Sequence, residues 1–151
     1  MRPCLNDLLA AGLFACSLQA SAACSVEAVP VTFGRYDAIR LLPTRTTGNI
    51  AITCSGTAGE QVGYSIVLEG ASGGTRTLKS GSNVLNYNLY TKADYQTIWG
   101  DGQNGTKPIG DSYFLPTSSS SRNYPVYGSM PAQQRVLAGV YTDTIHITVT
   151  F

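Results

Sequence analysis

Tyr141-Thr142-Asp143-Thr144-Ile145-His146-Ile147-Thr148-Val149-Thr150-Phe151 closes the sequence, and its alternation decides the fold. Tyr141, Ile145, Ile147, Val149 and Phe151 fall on one side; Thr142, Thr144, His146, Thr148 and Thr150 fall on the other. Side chains on a strand repeat every two residues, so this spacing predicts a half-buried β-strand over residues 141–151 with a threonine-rich face toward solvent. With no residue after Phe151, the strand's free edge is expected to pair with an earlier segment or with another molecule, because an unprotected apolar edge is a pairing site.

Similar signals recur upstream, each bounded by Gly, Ser, Asn or Pro. Val29, Val31 and Phe33 alternate before Gly34, and Ile50, Ile52 and Cys54 alternate after Thr47-Gly48-Asn49. Val62, Tyr64, Ile66 and Leu68 alternate before Gly70, and Leu85, Tyr87 and Leu89 follow Gly81-Ser82-Asn83. Outside the N-terminus no segment sustains a 3.6-residue apolar period. Short strands with turn-rich joints predict an all-β, immunoglobulin-like sandwich. Residues 71–74 read as a tight turn. Residues 100–123, with Asp101-Gly102, Asn104-Gly105 and a run of serines, read as a long loop.

The chain has 151 residues, room for one domain, and is 43% hydrophobic but only 13% charged, about half the usual charged share. Its formal charge is +1, and Lys and Arg do not cluster, which argues against nucleic acid or an anionic membrane as partner. Arg2, an apolar run over residues 8–18 and Ala20-Ser21-Ala22 predict a signal peptide over residues 1–22 and a mature domain over residues 23–151. The run is too short to span a bilayer, so no membrane insertion of the mature chain is expected. Cleavage there removes Cys4 and Cys16 and leaves Cys24 and Cys54 in an oxidising compartment, where two cysteines imply one disulfide.

Catalytic chemistry is poorly supported. The one histidine, His146, falls on the outward face of the last strand, and nothing resembles a nucleophile elbow. With both cysteines paired, zinc and thiol chemistry lack ligands, and no cofactor is expected. A glycan-active enzyme would need two converging carboxylates, Asp101 and Asp111 for example; scattered surface acids are the simpler reading. Asp101-Gly102-Gln103-Asn104-Gly105 lacks the spacing and terminal acid of an EF-hand and reads as a turn. Asn104-Gly105-Thr106 matches a glycosylation sequon. Tyr64, Tyr87 and Tyr141 share register with aliphatic strand positions and read as core. Trp99, Tyr113, Phe114 and Tyr124 fall in or beside the long loop and form a candidate adhesive surface.

Taken in order, Cys24-Ser25-Val26, Phe33-Gly34 with Tyr36-Asp37, residues 48–54, residues 64–68, Arg76 with Leu78, residues 85–90, Trp99-Gly100, Tyr127-Gly128 with Pro131-Ala132-Gln133, and Gly139, Tyr141 and Asp143 resemble the spore coat protein U family. Members of that family include subunits of archaic, Csu-type chaperone-usher pili. The resemblance implies an incomplete sandwich lacking its final strand, filled first by a periplasmic pilus chaperone and then by a neighbouring pilus subunit at the outer-membrane usher. Tyr141, Ile145, Ile147, Val149 and Phe151 then form the donor-strand and chaperone edge. The implied role is a subunit of a secreted surface pilus serving adhesion and biofilm formation. Cleavage before Ala23 leaves one residue ahead of Cys24, so a terminal, strand-accepting position such as a tip is expected. The competing readings are a spore-coat or matrix protein with a self-complete sandwich and, more remotely, the glycan-active enzyme.

Overall fold

The computed structural model describes residues 22–151. The expected signal peptide therefore lies outside the described residues, apart from Ala22. The described residues form eight strands: β1 (Ala23–Val29), β2 (Thr44–Ser55), β3 (Gln61–Leu68), β4 (Arg76–Ser80), β5 (Asn83–Tyr90), β6 (Ile109–Phe114), β7 (Ser119–Met130) and β8 (Ile147–Thr150). One 3-10 turn, Ser72–Gly74, interrupts them, and among the described residues no helix is long and apolar enough to cross a membrane.

Two sheets pack face to face, one ordered β1-β2-β7-β5-β4 and the other β6-β3-β8, an all-β, immunoglobulin-like sandwich. The spine of the larger sheet is the antiparallel β2–β7 pair, matched over its full length from Thr44↔Met130 to Ser55↔Ser119. Alternate residues of each strand point inward. Ile50, Ile52 and Cys54 from β2 and Val126 and Met130 from β7 meet Val62, Tyr64, Ile66 and Leu68 from β3. Leu85, Tyr87 and Leu89 of β5 complete that layer, and Trp99 closes it at zero exposure. β4 and β5 are joined by the two-residue turn Gly81-Ser82, where Gly81 takes φ 58°, a conformation that matches strand twist in a hairpin.

Cys24 lies directly opposite Cys54 in the β1–β2 register, and the two are joined by a disulfide. β1 needs the tie, since six of its seven residues are exposed and it contributes little to the core. The chain leaving β1 then folds over the larger sheet at Gly48 and Gly128. A Cβ on Gly128 would lie 2.9 Å from both Val31 and Phe33, so glycine there lets residues 31–33 approach the sheet.

Three expectations need correction. The strand expected over Val29, Val31 and Phe33 ends at Val29, and Val31 and Phe33 pack as half-buried anchors outside any strand. The strand expected over residues 141–151 is regular only at Ile147–Thr150. Upstream, Thr142 exchanges both backbone hydrogen bonds with Lys79 of β4, so the chain crosses from one sheet to the other before joining β3. The inward register survives the crossing: Tyr141, Ile145, Ile147 and Val149 are half-buried, while Phe151 is 64% exposed. Finally, residues 100–123 are not a long loop. They contain β6 and the start of β7, whose partners are β3 and β2.

Candidate functional site: an open groove between two strand edges

β1 ends one sheet and β8 ends the other, and the two edges flank a common groove. One wall is Ala28 and Val29 with Pro30, Val31 and Phe33; the opposite wall is Asp143, Ile145 and Ile147. Ile50, Leu68, Leu78, Tyr87, Leu89 and Val126 form the floor. This stretch encloses about 260 Å³ and opens into a wider cleft of about 760 Å³ between residues 31–38 and 136–143, over Leu78, Leu85 and Met130. The narrow stretch is lined mostly by aliphatic and aromatic side chains, while Thr32, Arg35, Thr142 and Asp143 add polar groups to the wide cleft.

The wide end is held by side chains that imitate backbone. Tyr36 Oη donates to the Pro131 carbonyl at 2.9 Å and accepts from Gln134 N at 2.8 Å, tying the 34–38 loop to the 131–136 loop. Gln134 in turn occupies a ladder position beside β5: its Oε1 accepts from Asn86 N at 2.7 Å and its Nε2 donates to Asn86 O at 2.8 Å. Strand-edge groups that β7 does not reach are thereby satisfied.

The floor carries one polar crossing. Tyr87 Oη donates to Asp143 Oδ2 at 2.7 Å, while its ring meets Phe33 edge-on at 5.6 Å between centroids. Burial, then the bond to Asp143, pushes the Tyr87 phenol well above its ordinary range, so it remains a donor. Asp143 Oδ1 accepts from Thr144 N at 2.8 Å. Below the floor Arg76 is fully buried, its Nη2 donating to the carbonyls of Leu68 and Trp99 at 2.8 Å each. Burial pulls the guanidinium below its usual range.

Of the predicted edge residues, Ile145 and Ile147 line the narrow groove and Tyr141 the wide cleft. Val149 packs against the core, and Phe151 stacks edge-on against Tyr64 at 6.0 Å. Val29, Val31 and Phe33 alternate in the sequence and Asp143 belongs to the family resemblance, but neither signal marks them as walls of one groove, because the groove exists only once the two sheets are stacked.

The candidate adhesive residues separate. Trp99 has zero exposure and donates from Nε1 to Ile66 O at 3.0 Å; Tyr113 is 9% exposed beneath the Arg122 guanidinium, which lies 3.8 Å from its ring centre. Tyr124 is half-buried, donating to the Asp111 carboxylate and accepting from Tyr64 Oη at 2.7 Å. Phe114 alone of the four is well exposed, at 66%. Trp99 and Tyr113 are thus core residues of a strand region rather than tips of a loop. Asp111 also pairs with Arg122 at 3.1 Å. Asp101 caps its own turn by accepting from Gln103 N at 2.9 Å, and that bond holds its carboxyl below the usual range. The two acids suggested for glycan chemistry are therefore engaged in separate networks. No cluster of three or more metal-ligating side chains occurs among the described residues.

No curated protein matches the sequence significantly. Among solved structures, the chain is similar to one in the crystal structure of the CsuC–CsuE chaperone–tip adhesion subunit pre-assembly complex from the archaic chaperone-usher Csu pili of Acinetobacter baumannii. The similarity has a TM-score of 0.57 at 23% identity, and it covers 87% of this chain but 40% of that one. It supports the sandwich fold. The family profile of the Spore Coat Protein U domain matches residues 10–148, nearly the whole sequence, and the protein belongs to that family.

Proposed function

We propose that this protein is a structural subunit of a chaperone-usher surface fibre and that the groove between β1 and β8 accepts a strand from a partner. The observation that carries the reading is the groove itself: a mostly apolar trough on the side of the sandwich where the edge strands β1 and β8 end the two sheets. An inserted strand gains backbone hydrogen bonds from the edges and buries alternate side chains against the floor. Full burial of a large aliphatic side chain is worth roughly 1.5 to 3 kcal/mol, so finishing the half-buried Ile145, Ile147 and Val149 is comparable to a sizeable part of a small domain's stability.

The similar solved structure is described as a chaperone bound to a tip adhesion subunit, which supports a periplasmic chaperone as first occupant and a neighbouring subunit, delivered at an outer-membrane usher, as second. The route is export to the periplasm followed by display at the cell surface. Any adhesive role falls to exposed groups such as Phe114 rather than to Trp99.

Periplasmic expression of the chain alone and with a pilus chaperone tests the reading. Soluble protein that co-purifies with the chaperone is expected. A monomer that is soluble alone, unfolds cooperatively and ignores the chaperone would favour a self-complete coat or matrix domain.

A further inference from the structure

An apolar groove selects a face but not a register. A strand of alternating aliphatic and polar residues that slips by one residue presents its wrong face, but a slip of two restores the same pattern. Something other than hydrophobic alternation must fix where a partner strand stops. Asp143 is the charged residue of the narrow groove, standing in the inward register of Ile145 and Ile147 where the groove meets the wider cleft.

We propose that Asp143 sets the register of the occupying strand by requiring an inward-facing hydrogen-bond donor, such as Ser, Thr, Asn or Lys, at one position of that strand. The inference rests on the strand-accepting reading above. The carboxylate is fixed from two sides, by Tyr87 Oη at 2.7 Å and by Thr144 N at 2.8 Å. Tyr87 cannot swing aside, being 4% exposed and held against Phe33. Each carboxylate oxygen accepts one bond in these contacts and keeps capacity for another. Asp143 is exposed to the open groove, so a strand laid across it strips its water. An aliphatic residue there leaves a desolvated carboxylate short of partners, whereas a donor makes a charge-assisted bond. The buried Arg76 guanidinium acts on Asp143 through charge, but it makes no hydrogen bond to the carboxylate: its short bonds go from Nη2 to the Leu68 and Trp99 carbonyls. The logic is that of a single buried polar residue fixing register in an otherwise apolar coiled-coil seam.

The test uses the full chain and synthetic peptides of alternating Thr and Val with one inward Val replaced by Ser at successive positions, each carrying a spin label at its N-terminus. Paramagnetic broadening of the protein's amides reads where the label sits. As the Ser moves by two residues, the label is expected to move along the groove by roughly 6.5 to 7 Å in the opposite direction, the length of two strand residues. Each Ser peptide able to place its Ser at Asp143 is expected to bind roughly tenfold or more tightly than the all-Val parent. In Asp143→Val the label position should no longer follow the Ser and the gain in affinity should vanish. A label position in the unmodified protein that ignores the Ser overturns the register proposal and leaves the groove standing. Failure of every peptide to bind overturns the strand-accepting reading and this proposal with it.

Discussion

Trp99 shows how far a residue's role depends on what surrounds it. By sequence it is an aromatic beside a Gly- and Ser-rich stretch; in the fold it is wholly buried, with its indole N–H satisfied by the Ile66 carbonyl of β3. Replacing it with Phe removes that donor, leaves a buried acceptor short of a partner and opens a void. Orphaning a buried polar group costs roughly 1 to 3 kcal/mol, and the void adds to this. Trp99→Phe is therefore expected to lower unfolding stability by about 2 kcal/mol or more in urea denaturation. Phe114→Ser, on an exposed ring, should stay within roughly 0.5 kcal/mol of the parent. Equal effects of the two changes would refute this division of the aromatic residues into core and surface. Tyr87 and Tyr64 were legible as core from register alone because each sits in an unbroken apolar period, a cue that Trp99 lacks.

At the scale of elements, the strands legible in the sequence are those whose inward positions are all apolar: the inner halves of β2, β3 and β5, and β8. β4 places Arg76 inward, β6 places Asp111 between Ile109 and Tyr113, and β7 begins with a serine run, so none shows a clean period of two. β4 is a strand through its hairpin with β5, and β6 and β7 are strands through distant partners, β3 and β2. Arg76 donates from Nη2 to carbonyls beyond its sheet, Asp111 is met by Tyr124 and Arg122, and the serines pair with β2. The same reasoning makes β1 the weakest element, exposed along its length and tied by one ladder and one disulfide. Cross-linking cysteines separated by 30 positions limits the unfolded chain by about 3.5 to 4 kcal/mol on the loop-entropy estimate. Cys24→Ser with Cys54→Ser is expected to lose most of that stability, and hydrogen exchange should show β1 amides deprotecting well before those of the β2–β7 spine. Unchanged protection across β1 would mean that its ladder suffices, and that the wall it lends the groove does not depend on the disulfide.

At the scale of the whole molecule, the two sheets are unequal, five strands against three, and the groove lies along the side where both end. The sequence carried half of this: the alternation of residues 141–151 marks one wall. The opposite wall shows there only as the alternation of Val29, Val31 and Phe33, which misplaces it in a strand, since Val31 and Phe33 take their places from the close approach at Gly128 and not from strand pairing. A sandwich open on one side should gain stability from a strand supplied on its own chain. Extending the protein beyond Phe151 with a flexible Gly-Ser linker and a strand of alternating Val and Thr, one inward Val exchanged for Ser to meet Asp143, brings that strand to the groove at high effective concentration. Three or four newly buried Val side chains are worth roughly 1 to 2 kcal/mol each, and ordering the strand consumes part of the gain. A net gain of about 3 kcal/mol in a chain of this size raises the melting temperature by roughly 10 °C. The same extension with every Val replaced by Asn supplies an equal length of backbone and no apolar burial, so it should raise the melting temperature little. A matching rise with both extensions would mean that backbone pairing alone stabilises the edges. No rise with either would mean that the groove does not take a strand, and would return the protein to the self-complete coat or matrix reading.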